Sequence, residues 1–247
     1  MKKFLKPTYL PAAVLCGGLI AALLRYWLFA LGKDEKGLMA IGSFPDTMSW
    51  IVVAIVMALV SLGAWMLKGG NKYSYNFPAS RAAAIGMILA AFSFCITSAV
   101  ELSIEPDLIG SVSAWFGFLA AGALGFLTYS RVKGKHPSMI FHSIVCVYLM
   151  LYLVAHYRLW SSYPQLQYYG FELLAIVFLM MAAYQRAAFD TGCGKRSTYT
   201  FFSLGALFFC IAALPSCENY AFFIGCTAWM LATPCRLTLL RNPNKEA

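Results

Sequence analysis

The sequence predicts an all-α fold: a polytopic membrane bundle of about eight transmembrane helices in four sequential hairpins, with both termini cytoplasmic. Three observations carry this expectation. Of 247 residues, 61% are hydrophobic and only 12% charged, whereas soluble domains carry about 25% charged residues. Mainly apolar runs of about 20 residues, the length needed to cross a bilayer, recur along the whole chain. Basic residues collect in alternate connections between those runs.

The runs fall at 8–31, 47–67, 81–101, 108–130, 138–159, 166–186, 199–215 and 219–236. The first follows Met1-Lys2-Lys3, as a signal peptide would. Its apolar stretch continues to about Leu31, beyond the roughly 7–15 residues of a signal-peptide core, so it reads as a retained span. Pro215 separates the last two runs, which make a tight helical hairpin. Pro234 lacks the N–H that a helix interior requires and ends or kinks the eighth. The longest connections, 32–46 and 68–80, are too short for a soluble domain, so residues 1–247 read as one integral membrane domain.

Orientation follows from lysine and arginine. With a cytoplasmic N-terminus, fifteen of the nineteen basic residues fall in inner segments; Lys33, Lys36 and Arg158 fall outside, and Arg25 lies within the first span. This is the bias of the positive-inside rule, and it suits a cell-membrane protein. The net charge of +9 is then a topology signal. No basic domain remains to bind nucleic acid. The expected surroundings are a lipid bilayer.

Prolines 45, 106, 164 and 215 recur in the outer connections at spacings of 61, 58 and 51 residues. Tandem duplication of a helical hairpin would produce this, and so would the ordinary preference of proline for helix boundaries. Small residues recur every fourth position at Ala82, Gly86 and Ala90 and at Ser113, Gly117, Ala121 and Gly125. Such stripes let helices approach closely in lipid. They serve either packing within the bundle or docking of a membrane protein partner or a second copy.

Charged side chains inside a membrane are costly and usually face the bundle interior or water. Arg25, Glu101, His156, Arg158 and Glu172 all fall at one level, near the outer ends of their spans, with Glu218 in the turn before the eighth. Tyr26, Trp27, Tyr152, Tyr157, Trp160, Tyr168 and Tyr169 share that level. The expectation is an outward-facing polar and aromatic cavity for a small molecule. Its ligand-binding residues would be Arg25, Glu101, His156, Arg158, Glu172, Tyr152 and Trp160. Arg25 and Glu172, the deepest, would pair with each other or with charges of a ligand. A histidine near its ordinary pKa titrates around neutrality, so His156 would support proton coupling. Interfacial aromatic belts and snorkelling arginine give the same composition without a cavity.

No cofactor or metal is expected. The eight cysteines contain no C-x-x-C pair, and within apolar runs cysteine behaves as a small hydrophobe; Cys217, near the outer surface, is the exception. His142 and His156 share one face of one span, and the only other histidine, His136, precedes the same span. That leaves no second helix for bis-histidine haem ligation. The glycine-rich turn 190–195 lacks the spacing of a phosphate loop, and no hydrolase or metalloprotease motif occurs. The preferred reading is a permease or membrane solute-binding component. A sensor, scaffold or accessory subunit acting through helix contacts comes second, and an intramembrane enzyme third.

Overall fold

The computed structural model describes residues 9–31, 42–67, 73–104, 107–134, 137–162 and 166–234. Glu105, Pro106, His136, Pro164, Cys235 and the charged segment 32–37 lie outside them. Among the described residues all regular structure is helical: α1 (Tyr9–Leu31), α2 (Phe44–Met66), the single-turn α3 (Tyr73–Asn76), α4 (Arg81–Ser103), α5 (Leu108–Lys133), α6 (Met139–Trp160), a 3₁₀ turn (Leu166–Tyr169), α7 (Gly170–Asp190), α8 (Arg196–Ala213) and α9 (Tyr220–Ala232). Seven of these are long and apolar enough to cross a membrane. The protein is an integral membrane protein.

Local chemistry sets the ends. The side chains of Ser80, Asp107 and Asn219 accept hydrogen bonds from Ala83, Gly110 and Phe222 N–H groups and so start α4, α5 and α9. Gly134, at φ 65°, terminates α5 in the left-handed conformation that glycine adopts without penalty. The sixth and eighth spans differ most from expectation. The sixth span begins at Gly170 because 166–169 form a 3₁₀ turn, and it continues past Arg186 to Asp190. The eighth helix is shorter than expected: its 13 residues rise only about 20 Å, less than the roughly 30 Å hydrocarbon core.

Helices α4, α5, α6, α7, α8 and α9 form a closed ring in which each packs on the next and α9 returns to α4; α1 and α2 pack together and against α8. Helix α8 therefore has neighbours on every side, and every side chain from Ser203 to Ala213 is buried. Apolar side chains on the bundle's outer face, such as Leu23, Trp65, Phe92 and Trp115, are exposed to the surrounding lipid. One end of the bundle carries Asp46, Glu101, Asp107, Glu172 and Glu218, and is called here the acidic end. The other, with Arg81, Arg131, Lys133, Arg186, Lys195 and Arg196, is the basic end.

The small-residue stripes are only partly used. A Cβ on Gly86 would strike Ala232 Cβ and stand 2.6 Å from the Ala228 carbonyl oxygen, and one on Gly225 would strike Ser93, so α4 and α9 meet almost backbone to backbone. A Cβ on Gly117 would strike Ser98. Gly125 has open space beside it, and Ala82 is exposed. Gly86→Leu is expected to lower stability by about 1–3 kcal/mol, since backbone cannot yield to the added volume. Gly125→Leu should change it by less than about 0.5 kcal/mol. Thermal unfolding of the two variants in the same detergent checks the contrast.

Candidate functional site

The connection between α8 and α9 does not cap the bundle from above. Ser216 is reached by Arg25, six residues before the end of α1, and Asn219 by Thr97, six residues before the end of α4. Six residues are about one and a half helical turns, so residues 214–219 sit below the rim of the acidic end. Irregular backbone at such depth must be buried in protein or border a cavity. Here Ser216 and Cys217 N–H groups both donate to the Ala213 carbonyl, and Asn219 accepts from Phe222 N–H and Thr97 hydroxyl. Cys217, expected near the surface, is buried, its thiol 3.3 Å from the Leu214 carbonyl oxygen.

The sunken connection leaves a cleft of about 730 Å³, lined by Glu101 and Ile104 of α4, Asp107 and Gly110 at the start of α5, Ala155, His156, Arg158, Leu159 and Trp160 of α6, and by Ser162, Tyr169 and Glu218. Four of the seven expected site residues therefore share one cavity: Glu101, His156, Arg158 and Trp160. Both Glu101 carboxylate oxygens are buried without a hydrogen-bond partner among the described residues. The His156 imidazole stands beside them, its Nε2 3.8 Å from Oε1. Its Nδ1 is engaged by the Tyr152 carbonyl at 3.0 Å, which fixes the ring. Arg158 is committed to Asp107 at 2.7 Å in an exposed pair, so it adds little net charge to the cleft.

Aromatic rings complete the walls. Trp160 stacks on Tyr169 at 5.1 Å and 11°. Tyr152 lies beneath the cleft rather than on its wall, sandwiched between His156 at 4.0 Å and Phe222 at 4.3 Å. Phe94 and Tyr148 continue this packing downward and close the floor. No family model, curated protein sequence or solved structure matches the chain. The side chains of this cleft are thus the direct guide to its chemistry.

Arg25 and Glu172 stand apart from the cleft, behind the 3₁₀ turn. The Arg25 guanidinium is buried, donates to the Tyr168 carbonyl at 2.9 Å and the Ser216 hydroxyl at 3.2 Å, and lies 4.1 Å from the Phe171 ring centroid. Glu172 faces Ser216 from the other side. No ion pair joins Arg25 to Glu172 among the described residues, and the Ser216 hydroxyl that accepts from Arg25 donates to the Ala213 carbonyl at 3.0 Å. Burial, with help from Glu172, raises the Tyr168 phenol above its ordinary value, so it remains a neutral donor at physiological pH. Of the other aromatics at this level, Tyr26, Trp27 and Tyr157 point outward to the perimeter, where interfacial rings are common.

The sequence supplied depth but not azimuth, which is why residues on both sides of the turn were grouped together. Glu218 and Tyr169, which belong to the outer-level set from which the cavity is expected, both line the cleft. Ala155, Gly110 and Ser162 carried no signal. Arg25→Gln is expected to destabilise the bundle by about 1–3 kcal/mol, the range for a buried polar group left without its partner, while leaving the affinity of a cleft ligand within twofold. Chemical unfolding and a binding isotherm on the same variant separate the two effects.

Proposed function

We propose that this protein is a small permease or membrane solute-binding component whose cleft takes a compact solute carrying a positively charged group. The observation that supports it most is Glu101: a carboxylate buried in a cavity wall without a hydrogen-bond donor favours a cation or a strong donor from outside the chain. Glu218 adds negative charge from the sunken connection. The Trp160–Tyr169 stack offers aromatic faces for the cationic group or its apolar substituent. His156, held by Tyr152, stands where its protonation would compete with a bound cation. The closed floor of Tyr148, Tyr152, Phe94 and Phe222 suits a state open at one end.

The basic-residue bias turns the acidic end outward, with both termini in the cytoplasm and the cell membrane as the location. A broken helical connection at membrane depth is also how transporter sites commonly present polar groups to a solute. A second reading, an accessory subunit or scaffold that docks a membrane partner or another copy, draws on α5, where Gly122 and Gly125 leave an open seam.

A thermal-shift screen of the purified protein against amines, amino acids, nucleosides and vitamins tests the first reading, since a ligand stabilises the folded state by mass action. The expected result is a saturable shift with an organic cation that Glu101→Gln weakens at least tenfold and Tyr157→Phe, on the outward-facing perimeter, leaves largely intact. No shift with any cation, or equal shifts in wild type and Glu101→Gln, would transfer support to the docking role.

A further inference from the structure

The cleft contains one arrangement that its reading as a cation site leaves unexplained. His156 of α6 and Glu101 of α4 face each other, with Nε2 3.8 Å from Oε1. The other ring nitrogen, Nδ1, lies 3.0 Å from the Tyr152 carbonyl oxygen. A carbonyl can only accept, so Nδ1 carries the hydrogen. In the neutral ring Nε2 is then a bare lone pair, set against a carboxylate oxygen that is also an acceptor. Two acceptors at this separation repel unless a proton or an N–H donor stands between them. Both Glu101 oxygens lack a hydrogen-bond partner among the described residues. Both residues line the cleft, so what fills the gap comes from its water or its solute.

The surrounding charges do not relieve this contact. On α6 itself, Arg158 is held at 2.7 Å by Asp107, which starts α5. Tyr152 stacks on the His156 ring, and Tyr169 of the 3₁₀ turn stacks on Trp160. Glu218, exposed on the cleft wall, adds only negative charge. On α7, Glu172 is buried behind the 3₁₀ turn, facing Ser216. Glu105 lies outside the described residues. Among those described, His156 is the base within reach of Glu101.

We propose that the cleft exchanges one proton for each organic cation it binds, with His156 Nε2 and the Glu101 carboxylate as the shared seat. The inference rests on the cation reading of the cleft and adds the coupled ion. In the empty cleft the proton is on Nε2, and the imidazolium balances Glu101. An entering ammonium takes over that balance, and two cations beside one carboxylate repel each other. The Nε2–H bond breaks and the proton leaves through the cleft to the solution. An N–H of the bound ammonium then donates to the freed lone pair, and another to Glu101. One positive charge enters as one leaves, so the carboxylate is never without a cation. Because the loaded state holds one proton fewer, affinity rises with pH, by about tenfold per unit while His156 is charged, and levels off once it is neutral.

The test uses the full chain purified in detergent, with benzylammonium as the probe: its ammonium suits Glu101 and its ring the Trp160–Tyr169 stack. Isothermal titration calorimetry in buffers of different ionisation enthalpy counts the protons released. Repeating it between about pH 5.5 and 7.5, where histidine ordinarily titrates, gives the affinity profile. The expected result is release of about one proton per cation at the acid end and an affinity that rises with pH, both lost in His156→Gln. Should that variant fail to fold or bind, ring-nitrogen chemical shifts of isotope-labelled histidine in the wild type take its place. Of the three histidines, one should be protonated at Nε2 when the cleft is empty and bare there when benzylammonium is bound. Binding without proton release at any pH overturns the exchange and leaves the cation site standing. Release that persists undiminished in His156→Gln also overturns it, because another group then holds the proton. Failure of benzylammonium to bind the wild type at any of these pH values removes the cation site and the exchange together.

Discussion

A membrane interior offers no water to satisfy a polar group, and in this protein that constraint is met around α8. Side chains from Ser203 to Ala213 are buried without interruption, so α8 must be surrounded, and α1, α2, α7 and α9 surround it. Its C-terminal end then lies inside the bundle, and the chain turns back there through residues 214–219. That turn is tolerable because protein groups replace water: the Ala213 carbonyl accepts its N–H groups, and Arg25, Thr97 and Asn219 anchor it from two sides. The short α9, the sunken connection and the cleft above it are consequences of the one buried helix.

Charge is divided between the ends in two different ways. At the acidic end, a carboxylate faces an open cleft while an arginine is packed away behind a 3₁₀ turn. At the basic end, Arg131 and Arg186 are enclosed under an aromatic cover. Between the two lies a packed column of buried aromatic and aliphatic side chains that keeps the polar ends separate. A bundle of this kind presents different chemistry to its two surfaces, which is what a protein facing two aqueous compartments requires.

Hydropathy made the long helices legible because lipid imposes one length and one composition on every span. It was weaker for α8 and α9, where protein contact replaces lipid contact: α9 is too short to cross alone, and α8 carries Thr200 and Ser203 inside the bundle, bonded to their own preceding carbonyls. That Glu101, His156, Arg158 and Trp160 share one cavity was foreshadowed by their common depth near the outer ends of their spans. The separation of Arg25 and Glu172 from them was not, since it depends on helix rotation and on Ser216 standing between the two. Arg131 and Arg186 read as inner-segment charges because a charge at the end of an apolar run looks the same whether solvated or enclosed; packing by Tyr73, Phe77 and Tyr199 distinguishes them.

An outward-facing solute site requires that the cleft open to the outside of the cell. Ser162 is exposed and lies on the cleft wall, so Ser162→Cys, in a background with Cys16 and Cys193 replaced by serine, reports its side directly. Intact cells treated with a membrane-impermeant maleimide should label this cysteine fully, without permeabilisation. Labelling only after the membrane is opened would place the acidic end in the cytoplasm and contradict both the orientation and the outward-facing solute site.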